Sequence, residues 1–220
     1  DKLLYYMPRE GEDISTAEVI VPQIGNILRV CGTDIDTPAR NIIFKGLTFE
    51  HGANLKNSAY GMPNSQATMF NQVTKQGYFS IADQLRGNIS VETAENIVFE
   101  ENVIKHMGSC GLELPWNVYN CELRGNIITD TSSSGVSIGC GNYHNPLDNR
   151  IIPTNILLDN NVIYDVCTEY TASPAVTSYY TKGLSIENNE IHDCPYSGIS
   201  MGWGWENRKD SDVCRQNRIK

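Results

Sequence analysis

Apolar and polar residues alternate in short runs along most of the chain, and the runs repeat. Asn102-Val-Ile-Lys-His106 returns as Asn126-Ile-Ile-Thr-Asp130, Asn161-Val-Ile-Tyr-Asp165 and Asn189-Glu-Ile-His-Asp193, and in truncated form as Asn217-Arg-Ile-Lys220. A degenerate first copy is Leu47-Thr-Phe-Glu-His51. The steps between copies are 55, 24, 35, 28 and 28 residues, the spacing of a solenoid whose coils carry loop insertions. Two apolar columns precede the Asn, at minus five and minus three: Ile42/Phe44, Ile97/Phe99, Cys121/Leu123, Ile156/Leu158, Leu184/Ile186 and then Asp212/Cys214. Two after it stand Phe49, Ile104, Ile128, Ile163, Ile191 and Ile219. A third run follows in Gly111-Leu-Glu-Leu, Gly135-Val-Ser-Ile, Ala175-Val-Thr-Ser and Gly198-Ile-Ser-Met. Period two is strand and not helix.

Three short strands per coil, each with an apolar column inside, predict an all-β parallel β-helix with an Asn ladder. No coil can bury its apolar face alone, so stacking makes one continuous core. The ladder Asn residues should hydrogen-bond up and down the stack, and Asn tolerates the left-handed backbone of a sharp corner. Residues 1–40 read as lead-in strands flanking the helix, and 41–220 as its coils. Insertions fall near 53–88, 139–153, 167–174 and 202–211. They cluster around the third strand, which is where a solenoid carries its binding face. The segment 53–88 is long enough to act as a functional loop or lid. The coil that stops at Lys220 would leave unpaired edges, so a longer solenoid is expected.

Composition narrows the function only a little. With a net charge of −9 and no basic cluster, nucleic acid and anionic membranes are disfavoured as partners, and a polyanionic substrate mildly so. No apolar run is long enough to span a membrane. The seven Cys show no C-x-x-C metal spacing, and no His pair has ligand spacing, so neither a metal nor another cofactor is expected.

The outward column of the third strand reads Ser90, Glu113, Ser137, Thr177 and Ser200. Around it lie all three tryptophans, Trp116, Trp203 and Trp205, with Asn142, His144 and Tyr170 as further candidates for substrate binding. Aromatic platforms with carboxylates between them suit sugars, whose ring faces stack while their hydroxyls meet polar groups. Neighbouring coils are about 4.8 Å apart, so equivalent carboxylates one or two coils apart match the ~5–5.5 Å and ~6.5–9.5 Å separations of retaining and inverting glycosidases. The candidate catalytic carboxylates are Glu113, Asp148, Glu169 and Glu206. Glu169 has no basic neighbour in sequence, which suits a general acid; Asp148, beside Arg150, suits a base or nucleophile. The column His51, His106, Asp130, Asp165 and Asp193 reads as turn chemistry.

Thr168-Glu-Tyr170 before Ser173-Pro-Ala-Val176, and then Ile191-His-Asp-Cys-Pro-Tyr-Ser-Gly-Ile-Ser-Met-Gly-Trp-Gly-Trp205, resemble the right-handed parallel β-helix proteins of bacterial carbohydrate breakdown. Among such proteins they resemble glycoside hydrolase family 141, with family 120 xylosidases as cousins. The opening Leu4-Tyr-Tyr-Met-Pro-Arg-Glu-Gly-Glu-Asp13 is similar to that group's lead into the helix. The resemblance implies a right-handed coil, retaining chemistry from two carboxylates, and a secreted or periplasmic protein that degrades polysaccharides. Two other readings stay open. A polysaccharide lyase would need Lys, Arg or Ca²⁺ beside a uronate, and the outward column offers no Lys or Arg. A carbohydrate-binding or adhesive solenoid would need no carboxylate pair.

Overall fold

The computed structural model describes residues 5–54, 65–74, 77–141, 148–202 and 214–220, with the backbone alone for 71–82. The strands follow the coils. The first coil holds β1 (Leu28–Cys31), β2 (Ala39–Lys45) and β3 (Thr48–Gly52). An excursion then carries β4 (Ser65–Gln66), β5 (Met69–Thr74) and β6 (Gly77–Gln84). The second coil is β7 (Gly87–Glu92), β8 (Ala94–Glu100) and β9 (Val103–Met107), and the third is β10 (Cys110–Leu114), β11 (Val118–Arg124) and β12 (Ile127–Thr131). After them come β13 (Val136–Ile138), β14 (Thr154–Asp159) and β15 (Val162–Val166), then β16 (Val176–Ser178), β17 (Ser185–Glu187) and β18 (Glu190–His192), and finally β19 (Ile199–Met201) and β20 (Arg218–Ile219).

Corresponding strands of successive coils pair in parallel and build three sheets, ordered β1-β7-β10-β13-β16-β19, β2-β8-β11-β14-β17-β20 and β3-β9-β12-β15-β18. This is a parallel β-helix. The first of these sheets, made of the strands that come third in the sequence repeat, is called the third-strand sheet below. The apolar columns face one interior: Ile97, Phe99, Cys121, Leu123, Ile156 and Leu158 belong to the same buried cluster as Ile89, Leu112, Val136 and Val176. Phe44 stacks on Phe99 with ring centroids 4.8 Å apart, continuing the column at the first coil.

The Asn ladder forms, with one difference from expectation. Asn102 Nδ2 donates to Asn126 Oδ1 at 3.1 Å, Asn126 to Asn161 at 2.8 Å, and Asn161 to Asn189 at 2.8 Å. Each of the first three Asn is almost wholly buried. The left-handed residue at that corner is instead the one before the Asn: Gly46, Glu101, Gly125, Asn160 and Asn188 all have positive φ. That turn frees the Asn side chain to point inward and bond the stack. His51, His106, Asp130, Asp165 and Asp193 form a second left-handed column, which fits their reading as turn residues.

Asn217 is not a rung of the ladder. Strand β20 pairs with β17 so that Arg218 faces Ser185 and Ile219 faces Ile186. Asn217 therefore lies opposite Leu184, whose N–H it accepts at 2.8 Å. Its sequence mimics the corner motif, but the register places it five residues early, in the strand that precedes the corner.

The excursion also differs from a structureless loop. β4, β5 and β6 form an antiparallel sheet. Gln84, at its end, donates to Ser137 Oγ and to the Gly139 carbonyl, both at 3.2 Å, and accepts from the Gly141 N–H at 3.2 Å. The Thr68 and Tyr179 hydroxyls bond each other, and the Ala67 N–H donates to the Ala172 carbonyl at 3.0 Å. Gln84 thereby covers Ser137, and the outward residues Ser137 and Thr177 are both buried.

Candidate functional site

The third-strand sheet carries charged residues at its first coils. A cleft of about 480 Å³ lies there, against β1, β7 and β10. The segment before β1 supplies one wall and is tied down by the backbone. The Ala53 N–H donates to the Ile24 carbonyl at 2.9 Å, and Asn26 Nδ2 to the Gly87 carbonyl at 3.2 Å. Asn88 crosslinks the floor, donating to the Gly25 and Ala53 carbonyls and accepting from the Ser109 N–H.

Four charged side chains meet at this cleft: Arg29, Arg86, Glu92 and Glu113. The register explains the meeting. Arg29 lies beside Ser90, and Ser90 beside Glu113, so all three share one outward rung. Glu92 points outward two residues further along β7, within reach of both arginines. Arg29 Nε donates to Glu92 Oε1 at 2.5 Å. Arg86 Nε donates to Glu113 Oε1 and Oε2 at 2.8 and 3.1 Å, and its Nη2 stands 3.9 Å from Glu92 Oε2. One guanidinium thus bridges two carboxylates, which places their oxygens no more than about 9 Å apart. The Cα atoms, one strand over and two residues along, are about 8 Å apart. Arg86 also lies over the Trp116 ring at 4.6 Å, a cation–π contact that fixes the guanidinium plane. Burial pushes the Glu113 carboxyl above the usual carboxylate range, and the Arg86 charge works against that shift.

The other candidates scatter. Asp148 caps a 3-10 turn (Asn149–Ile151) and bonds Arg150 through both oxygens, at 3.0–3.2 Å to Nε and 2.7 Å to Nη2. Arg150 reaches on to Asp36 at 2.6 Å. Those hydrogen bonds hold the Asp148 carboxyl below its ordinary range, and the residue does not line the cleft. Glu169 is exposed and accepts from Thr168 Oγ1 at 2.5 Å. Tyr170 is buried against Phe70 and Leu85. Its hydroxyl takes a 2.7 Å hydrogen bond from Asn54, which lines the cleft. Trp116 is at the cleft, with Arg86 on its ring. Asn142, His144, Trp203, Trp205 and Glu206 lie outside the described residues.

Of the sequence candidates described, the structure brings Glu113 and Trp116 together and adds Glu92, Arg29 and Arg86. It also corrects the view that the outward column has no Lys or Arg, since Arg29 heads that column on β1. A signal existed. Leu28-Arg-Val-Cys31 has the alternation of Ile89-Ser-Val-Glu92, and aligning the two runs puts Arg29 opposite Ser90. For Arg86, which lies within the 53–88 insertion, no repeat position predicts a role.

No family model and no curated protein matches the chain. Among solved structures it is similar to a chain named "Glycoside hydrolase", at 31% sequence identity and a TM-score of 0.81. The match covers 91% of this chain and 37% of that one, so the present chain spans little more than a third of that relative's length.

Proposed function

We propose that the protein hydrolyses glycosidic bonds in the cleft on β1, β7 and β10, with Glu92 and Glu113 as its carboxylate pair. The observation that carries this reading is the pair itself: two nearly buried carboxylates on adjacent strands, bracketing one guanidinium at the wall of a cleft. Glu113, whose burial favours the protonated form, is the general acid. Glu92 is the base or nucleophile. The solved relative's name, glycoside hydrolase, agrees with this chemistry. Glu113 lies beneath Arg86, so substrate entry must shift the Arg86 side chain before Glu113 can reach a glycosidic oxygen. The Arg86 bridge keeps the two carboxylates within about 9 Å of each other, a span that takes in both retaining and inverting separations, and the family resemblance implies retention. Proton NMR of the first-formed anomer decides between them.

A lyase is the second reading, favoured by one observation: Arg29 and Arg86 stand where a uronate's charge would need neutralising. Digestion of a polysaccharide panel separates the two. Hydrolysis releases saturated reducing ends, while elimination leaves an unsaturated, ultraviolet-absorbing uronate. A panel on which neither product forms would sink both readings.

A further inference from the structure

The four charges at the cleft are arranged front to back. The Arg29 and Arg86 side chains are 59% and 40% exposed, while their partners Glu92 and Glu113 are 6% and 1% exposed. An ordinary surface pair leaves both ends in water and gains little. Here the carboxylates sit behind and the guanidiniums face the opening. Each carboxylate engages the Nε side of its arginine. The outer edges are barely used. Among the described residues, Arg29 Nη2 has only Cys31 Sγ at 3.5 Å, and Arg86 Nη2 has only Ser90 Oγ at 3.5 Å and Glu92 at 3.9 Å. Neither Nη1 makes a hydrogen bond among the described residues. Two guanidinium forks are therefore held in orientation from the rear, and Arg86 also by Trp116, with donors pointing into the cleft.

A guanidinium fork matches a carboxylate two bonds at a time, and side chains already held in place lose little further freedom when they bind. We infer that the cleft selects a sugar that carries a carboxylate, a uronate residue, through the outer edges of Arg29 and Arg86. The inference rests on the reading of this cleft as the sugar site. It runs against the net charge of −9, but that charge acts weakly beyond a Debye length of about 8–10 Å, and at the cleft the two arginines are far more exposed than the carboxylates behind them.

The test is a binding array of oligosaccharides containing galacturonate, glucuronate or mannuronate, each printed beside its carboxyl-reduced, neutral counterpart. The wild-type protein should bind at least one acidic member about tenfold or more tightly than its reduced twin. That preference should shrink between about 0.05 and 0.5 M NaCl. Arg29→Gln should bring the ratio to within about twofold. Since that variant leaves Glu92 unpaired, Arg29→Lys, which keeps the charge but loses the fork, serves as its check and should fall between the two. Equal binding of acidic and reduced twins overturns the uronate inference and leaves the hydrolase reading standing. An acidic preference that survives both Arg29 variants overturns the assignment to this cleft. Binding of no sugar at all sinks the inference and the sugar site together.

Discussion

Replacing Asn126 by alanine removes the middle rung of the ladder. Asn126 Oδ1 accepts from Asn102 N at 3.0 Å and Asn102 Nδ2 at 3.1 Å; its own Nδ2 donates to Asn161 Oδ1 at 2.8 Å and the Phe99 carbonyl at 2.9 Å. The losses are unequal. Asn161 Oδ1 still accepts from Asn126 N at 3.0 Å, and Asn102 Nδ2 still donates to the Phe44 carbonyl at 2.9 Å. The Asn102 N–H loses its partner outright, in a place that water does not reach. One orphaned buried donor costs about 1–3 kcal/mol, and the weakened bonds add about 0.5–1.5 kcal/mol each. The sum to expect is about 3–5 kcal/mol, read as a shift in the urea midpoint at unchanged slope. Asn189→Ala orphans the N–H of the buried Asn161 in the same way, so it should cost about 1–3 kcal/mol or more. A loss below about 1 kcal/mol for Asn126→Ala would refute the ladder as a source of stability.

Three further outcomes follow from the cleft. Glu113 holds its proton more tightly when folded than an ordinary carboxyl does, so it contributes stability below the usual carboxylate range that is lost as pH rises through the raised value. Glu113→Gln should remove that slope from a plot of Tm against pH; parallel curves for the two proteins would contradict it. A Cβ on Gly87 would stand 2.6 Å from the Ile89 carbonyl oxygen and 2.7 Å from Glu113 Cγ, so Gly87→Ala should destabilise by about 1–3 kcal/mol and lower turnover, measured by unfolding and by sugar release. Asp148→Asn should leave sugar release unchanged, because Asp148 holds Arg150 away from the cleft; a large loss would return Asp148 to the catalytic candidates.

The coils were legible because a β-helix writes its interior as columns of one parity, and Ile97, Phe99, Leu123 and Leu158 stand inside where alternation puts them. The site was legible only in part. Glu113 sits on a clean repeat strand, so its outward aspect could be read. Arg29 precedes the first Asn-marked corner and is tied to its column only by the likeness of Leu28-Arg-Val-Cys31 to Ile89-Ser-Val-Glu92, and Arg86 follows a sheet that interrupts the repeat and has no column. Asp148 and Glu169 looked promising by sequence neighbours alone, but an arginine two residues on and a neighbouring hydroxyl satisfy them locally. Asn217 shows the limit of motif matching. Asn-x-Ile is also a sequence that a strand interior tolerates, and pairing with β17 decided its register. The sealing of Ser137 by Gln84 is a long-range packing event that no local pattern announces.

The central claim is that Glu92 and Glu113 together cleave glycosidic bonds. Its most direct test is the rate of reducing-end release from a polysaccharide panel by wild-type protein and by Glu92→Gln, with circular dichroism confirming that the variant keeps its strands. The predicted result is release by the wild type and a fall of at least about 10²-fold in the variant. Release by Glu92→Gln at the wild-type rate would contradict the claim and move the chemistry out of this cleft.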